Sequence, residues 1–139
     1  MILNFIDLLA FYISAIINSV RIFKNTWFAR FADKERITDS ELLRAVNQLE
    51  TGQASADLGG GVFKVRIARS GEGKSGGYRV IVFFRSGERT FYVYGFAKSA
   101  ISNIDKKQLR DFKRTAKAIL ALTDNQLEGL LKTGKYIEI

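Results

Sequence analysis

Eight Lys or Arg residues fall between Val62 and Lys98 (Lys64, Arg66, Arg69, Lys74, Arg79, Arg85, Arg89 and Lys98), against two acids, Glu72 and Glu88. The segment therefore holds +6 of the chain's formal charge of +8. Its cations alternate with β-branched and aromatic residues at period two, the pattern of strands with one apolar and one cationic face. A cationic face that also bears aromatic rings suits a polyanion, and nucleic acid is the usual one. The chain has no histidine and no cysteine. That removes the commonest neutral-pH acid or base, the thiolate nucleophile and the usual soft metal ligands. Any general acid or base must be Lys, Tyr or a carboxylate, or catalysis must rest on charge stabilisation. No cofactor and no metal are expected.

One motif in this segment imitates a nucleotide site. Gly73-Lys74-Ser75 resembles the end of a phosphate-binding loop, but the full pattern needs glycine five residues earlier, where Ala68 stands. Such a loop must also open a helix, whereas Tyr78-Arg79-Val80 has strand character. The stretch reads instead as a cationic hairpin tip that could close on a phosphate through Lys74 and backbone N–H groups.

The elements that must position these cations follow from periodicity and punctuation. One domain fits 139 residues with 47% apolar content. Val20 to Lys24 alternates like a short strand, and Thr26 can cap a helix through Trp27, Phe28 and Phe31. Thr38 and Glu41 form a capping box before Leu42, Leu43, Val46 and Leu49, with Gly52 closing that helix. Gly59-Gly60-Gly61 breaks the chain. Three strands follow, Val62–Ala68, Tyr78–Arg85 and Thr90–Phe96. Asp105 and Gln108 can box a helix with Leu109, Phe112, Ala116, Ile119 and Leu120 on one side and Lys106, Lys107, Arg110, Lys113, Arg114 and Lys117 on the other. Thr123 caps a last short helix, and Tyr136 to Ile139 suits a short strand. The order β-α-α-β-β-β-α points to an α+β fold with an antiparallel meander packed on helices.

Alternation assigns faces. If Phe91 and Val93 face the core with Val65 and Val82, then Lys64, Arg66, Arg79, Tyr92 and Tyr94 share the open face, with Lys98 at the rim. Tyr92 and Tyr94 could equally pack under a helix or stack on bases, and Lys64 and Arg66 could be a solvated face or phosphate contacts.

Residues 1–19 differ from the rest. They are strongly apolar, with no basic residue before Arg21 and no small-residue cleavage site, so they do not form a secretory signal. Asp7, Asn4 and Asn18 interrupt a stretch near the lower length limit for a spanning helix. Three readings stand: a non-native extension before a start at Val20, a membrane anchor flanked by Arg21 and Lys24, or a partner-binding helix. The domain is expected over residues 20–139.

The run GGGVFKVRIARSGEGKSGGYRVIVFF, followed by FYVYGFAKS, resembles the RelE/ParE superfamily of toxins from bacterial type II toxin–antitoxin systems. The similarity covers Val20 to about Leu122 and is nearest to the HigB-like, phage-derived branch with its glycine-rich loop. The resemblance implies a small basic cytoplasmic protein, neutralised by an antitoxin (in that branch usually a helix-turn-helix protein). It implies in many members a ribosome-dependent endoribonuclease that cuts mRNA. Carried over residue by residue, it implies Lys64 and Arg66 as the cation pair of the first meander strand, Arg79 as the loop-motif arginine and Lys98 as the lysine ending the last strand. Two positions depart from the best-known RelE pattern: Ser99 follows Lys98 where those proteins have arginine, and no tyrosine stands near Ile104, a role open to Tyr94 or Tyr136.

The chemistry so implied is attack of an RNA 2′-OH on the adjacent phosphorus. Without histidine, a lysine crowded by cations is the candidate base, because neighbouring positive charge favours loss of its proton. Lys64 fits that part, Arg66 and Arg79 would clamp the phosphate, and Lys98 or Tyr94 would be the acid. Arg69, Lys74, Arg85, Tyr92 and Phe96 are the further candidate RNA contacts. Two other readings of the same residues are a ParE-like gyrase poison that binds protein, and a nucleic-acid-binding module without catalysis.

Overall fold

The computed structural model describes residues 4–53, 56–69, 73–98 and 103–139, and the side chains of these other than 13–19, 69 and 73–76. Among the described residues there are five helices and one six-stranded sheet. In chain order they are α1 (Phe5–Ser19), β1 (Arg21–Asn25), α2 (Thr26–Glu35), α3 (Asp39–Glu50), β2 (Ala56–Gly59), β3 (Val62–Arg69), β4 (Gly73–Arg85), β5 (Arg89–Ala97), α4 (Lys106–Leu120), α5 (Asp124–Lys132) and β6 (Tyr136–Glu138). The sheet order is β2-β3-β4-β5-β1-β6. The antiparallel meander β3-β4-β5 is its centre; β1 joins β5 in parallel, and β6 closes the far edge antiparallel to β1. This is the expected α+β fold.

Local chemistry sets the helix starts. Thr38 with Glu41, Asp105 with Gln108 and Thr123 with Gln126 all form reciprocal capping boxes, each satisfying two N–H groups that a helix start leaves orphaned. At α2 the cap is Asn25, one residue before the expected Thr26. Its Oδ1 accepts from Phe28 N–H at 2.7 Å while its Nδ2 donates to the Val93 carbonyl at 3.0 Å. One side chain therefore starts α2 and ties the end of β1 to β5.

Helices cover both faces of the sheet. Helices α2 and α3 bury Phe28, Ala32, Leu42, Val46 and Leu49 against Val65, Val80, Val82 and Tyr92. On the other face Ala116, Ile119, Leu120 and Leu127 of α4 and α5 pack on Phe23, Val62, Ile81, Phe83, Phe91 and Val93. The face that carries the cations is thus not wholly open: α4 covers one end of it.

Two features were not expected from the sequence. Strand β2 ends on the first of the three glycines, which turn it tightly into β3 with φ of +88°, +63° and +82°. Ala-Asp-Leu-Gly has little strand preference, so only its pairing reveals it. A Cβ on Gly61 would also lie 2.6 Å from Leu120 Cδ1, so the turn needs both the positive φ and the missing side chain. The second feature is the length of β4. Pairing between Arg69 and Gly73 carries it five residues further back than Tyr78, into the expected hairpin tip.

Helix α1 has no described side chain in either core cluster. Its described side chains, through Tyr12, are exposed, including Phe5 at 77% and Phe11 at 72%. At ~1.5 Å per residue it is about 22 Å long, short of a bilayer's ~30 Å hydrocarbon core. Among the described residues no helix is long and apolar enough to cross a membrane.

Candidate functional site

Strand register places the cations. Arg66 on β3 and Arg79 on β4 are direct cross-strand partners, and Phe96 on β5 continues the same row. The neighbouring row is Lys64, Ile81 and Tyr94. Side chains two residues apart on a strand share a face, so Lys64, Arg66, Arg79, Tyr94 and Phe96 lie on the α4 side. Helix α4 covers the Gly61 end of that face, where Leu120 sits. Just before the helix, Asn103 Oδ1 lies 3.4 Å from Lys64 Nζ. The Arg66–Arg79 row lies one step further from Gly61 than Lys64, with Arg66 exposed.

Their electrostatics are unusual for a sheet. Like charges directly opposite one another on adjacent strands are destabilising. Arg79 is also only 5% exposed. Burial and then the Arg66 charge lower its affinity for its proton below the ordinary guanidinium value, although an arginine keeps its charge. Two guanidinium forks so placed favour an anion with several oxygens, because each fork can donate two parallel hydrogen bonds to it. Lys98 sits one residue past β5, exposed, with its backbone N–H donating to the Gly77 carbonyl at 3.3 Å.

The aromatic residues of β5 divide, which corrects the expected face assignment. Ile81 pairs with Tyr94 and Val82 with Tyr92, so Val93 is an extra residue, a β-bulge. Alternation breaks there. Tyr92 falls on the α2/α3 face, fully buried, with its hydroxyl donating to the Leu42 carbonyl at 2.7 Å. Burial raises its hydroxyl pKa. It is a core residue and not an RNA contact. Phe91 and Val93, expected beside Val65 and Val82, lie on the opposite face with Ile81 and Phe83. Tyr94 stays beside the cations, half-buried against Phe112 (5.8 Å between ring centroids) and Phe96 (6.1 Å). Phe96 is 3% exposed, so it underlies Tyr94 and presents no free ring to a base.

The remaining candidates are scattered. Arg85 is exposed at the far end of β4, ~20 Å along the strand from Arg79, and pairs with Glu88 at 3.4 Å. It is not part of the cluster. The side chains of Arg69 and Lys74 lie outside the described residues, as does Ser99. Tyr136 packs edge-on against Phe91 near the opposite edge of the sheet. Sequence reasoning passed over Asn103, which only the fold brings to Lys64, and Trp27. The signal for Trp27 was its neighbour Phe28: adjacent helical residues sit about 100° apart. With Phe28 fully buried, Trp27 is 45% exposed.

The described residues include no group of three or more His, Cys, Asp or Glu able to hold a metal ion. What the site offers is cations at fixed spacing beside a tyrosine. A family model described as RelE toxin of RelE / RelB toxin-antitoxin system matches residues 20–139. That match takes in the whole sheet and leaves α1 outside it. The chain belongs to the RelE family of toxins, whose counterpart is an antitoxin protein.

Proposed function

We propose that this toxin is a metal-independent endoribonuclease that cuts mRNA on the ribosome. One observation carries the reading: Arg66 and Arg79 face each other across two strands, one of them nearly buried, with Lys64 one position along the same face. The pair concentrates positive charge at one point of the face, and a phosphate bound there would accept hydrogen bonds from both guanidinium groups.

In this mechanism the RNA 2′-oxygen attacks the adjacent phosphorus while Lys64, acting as base, takes the hydroxyl proton. Arg66 and Arg79 bind the non-bridging oxygens and stabilise the extra charge of the phosphorane. The bond to the 5′-oxygen breaks, and that oxygen takes a proton from Tyr94 or Lys98. The products are a 2′,3′-cyclic phosphate and a 5′-hydroxyl. Residues 20–139 form the catalytic domain, with α1 an appended segment. A helix-turn-helix antitoxin of the HigB-like kind is the proposed partner.

The test is induction of the chain in bacteria, alone and with the neighbouring reading frame, followed by primer extension on a reporter mRNA. Growth arrest with new cuts, lost in Arg79→Ala and relieved by the neighbour, is the expected result. Arrest with intact mRNA would transfer the function to a protein target such as gyrase.

A further inference from the structure

The last pair between β1 and β5 is Lys24 with Tyr92, yet β5 continues to Ala97. From Val93 onward this edge of β5 has no strand beside it among the described residues. Trp27, the second residue of α2, fills the place. Its ring lies 4.7 Å from Tyr94 and 5.5 Å from Phe31, nearly parallel to the latter at 13°. Phe31 is itself held by Phe28 and Tyr78 and lies over Gly95, where a Cβ would come 2.4 Å from its ring. The indole is thus braced on one side by core aromatics and remains 45% exposed.

An exposed Trp held by two packed rings loses little freedom when it meets a ligand, which is the property of a stacking platform. Its position relative to the cations matters as much. Strands are spaced about 4.8 Å apart, so Tyr94 lies roughly 10 Å across the sheet from Lys64, and Trp27 is the next ring beyond Tyr94. Across the sheet the order is thus Lys64, the buried Ile81, the half-buried Tyr94 and then the exposed indole. A strand with its phosphate at the arginines can lay a neighbouring base over the indole. Bases stack on aromatic side chains whatever their sequence, because each has a π face.

We propose that Trp27 is a base-stacking platform for single-stranded RNA at the edge of the cationic site. It holds the nucleotide flanking the bound phosphate and acts as a positioning residue, without taking part in proton transfer. This rests on the RNA reading of the same site.

Trp27 is the chain's one tryptophan, so its fluorescence reports on this position alone. The probe is a labelled 2′-O-methyl RNA oligonucleotide, which cannot be cut because its attacking hydroxyl is blocked. It is added to the full chain, with inorganic polyphosphate as a polyanion that lacks bases. The expected result is quenching by the oligonucleotide and little change with polyphosphate. Trp27→Ala should weaken oligonucleotide binding by about tenfold, measured by anisotropy, with an unchanged salt slope. Trp27→Phe should recover most of that loss. Binding that leaves the fluorescence unchanged, or equal affinity in Trp27→Ala, overturns the platform and leaves the RNA site standing. Failure of the full chain to bind the oligonucleotide at all overturns both.

Discussion

The two faces of the sheet treat the same residue type in opposite ways. Tyr92 and Tyr94 stand two positions apart on one strand. The first is sealed under α2 and α3 with its hydroxyl on a backbone carbonyl; the second shares a face with Lys64 and the arginine pair, across Ile81 from Lys64. The α2/α3 face is a continuous apolar layer. The other face is apolar where α4 and α5 cover it and carries Lys64, Arg66 and Arg79 at one end. The charged groups of this face therefore gather at the margin of a core, where Arg79 is nearly buried and Arg66 exposed.

Breaking the dry face should cost most. Tyr92→Ala removes a fully buried ring stacked on Phe28, and the expected loss is ~3–5 kcal/mol in urea unfolding. Tyr92→Phe keeps the ring and removes one hydrogen bond, an expected loss of about 1 kcal/mol. Gly95→Ala comes next, because its Cβ would overlap Phe31. The strain should lower stability by about 1–3 kcal/mol and, by displacing Phe31, move the Trp27 fluorescence maximum.

On the cationic face the currency changes from stability to function. Lys64→Ala and Tyr94→Phe should each leave unfolding within about 0.5–1 kcal/mol of the parent, as expected of partly exposed positions. Both should slow mRNA cleavage, Lys64→Ala by about a hundredfold or more. A loss of stability as large as that of Tyr92→Ala in either variant would dissolve the contrast between the faces.

The smallest effect lies at the sheet's edge. Arg21 donates to both carboxylate oxygens of Glu138 at 2.8 Å and holds that carboxyl below the usual range. A carboxyl with a lowered pKa contributes stability above its unfolded value and loses it as pH falls through its folded value. Glu138→Gln should therefore cost under about 1 kcal/mol at pH 7, since both groups are about one-third exposed. The difference should vanish well below pH ~4 in thermal melts.

What the sequence made legible was whatever depends on neighbours in the chain. Thr38, Asp105 and Thr123 announce their helices because a capping box spans four residues. Lys64, Arg66 and Arg79 could be placed on one face because β3 and β4 keep strict alternation through them. The run FYVYGF shows no sign of the bulge at Val93, since the extra residue is defined only by its partner strand. That single insertion sent Tyr92 and Tyr94 to different faces, and Phe91 and Val93 with Ile81. The contact of Asn103 with Lys64 was hidden because it joins segments 39 residues apart, and strand β2 because Ala-Asp-Leu-Gly has little strand preference of its own.

The place of β1 in the sheet also dictates an order of assembly. The meander β3-β4-β5 closes through short connections, so the cationic row can form from one contiguous stretch of chain. Strand β1 is made first, but its neighbours are β5 and β6, and Arg21 meets Glu138 across 117 positions. Non-local pairings of this kind form slowly. At ~5–20 residues per second of synthesis, β1 emerges several seconds before the strand it joins, with Ile22 and Phe23 unsheltered. The half of the sheet that carries the cationic row is thus complete before the half that seals it, and amide exchange should find β6 the first strand to open and β4 the last.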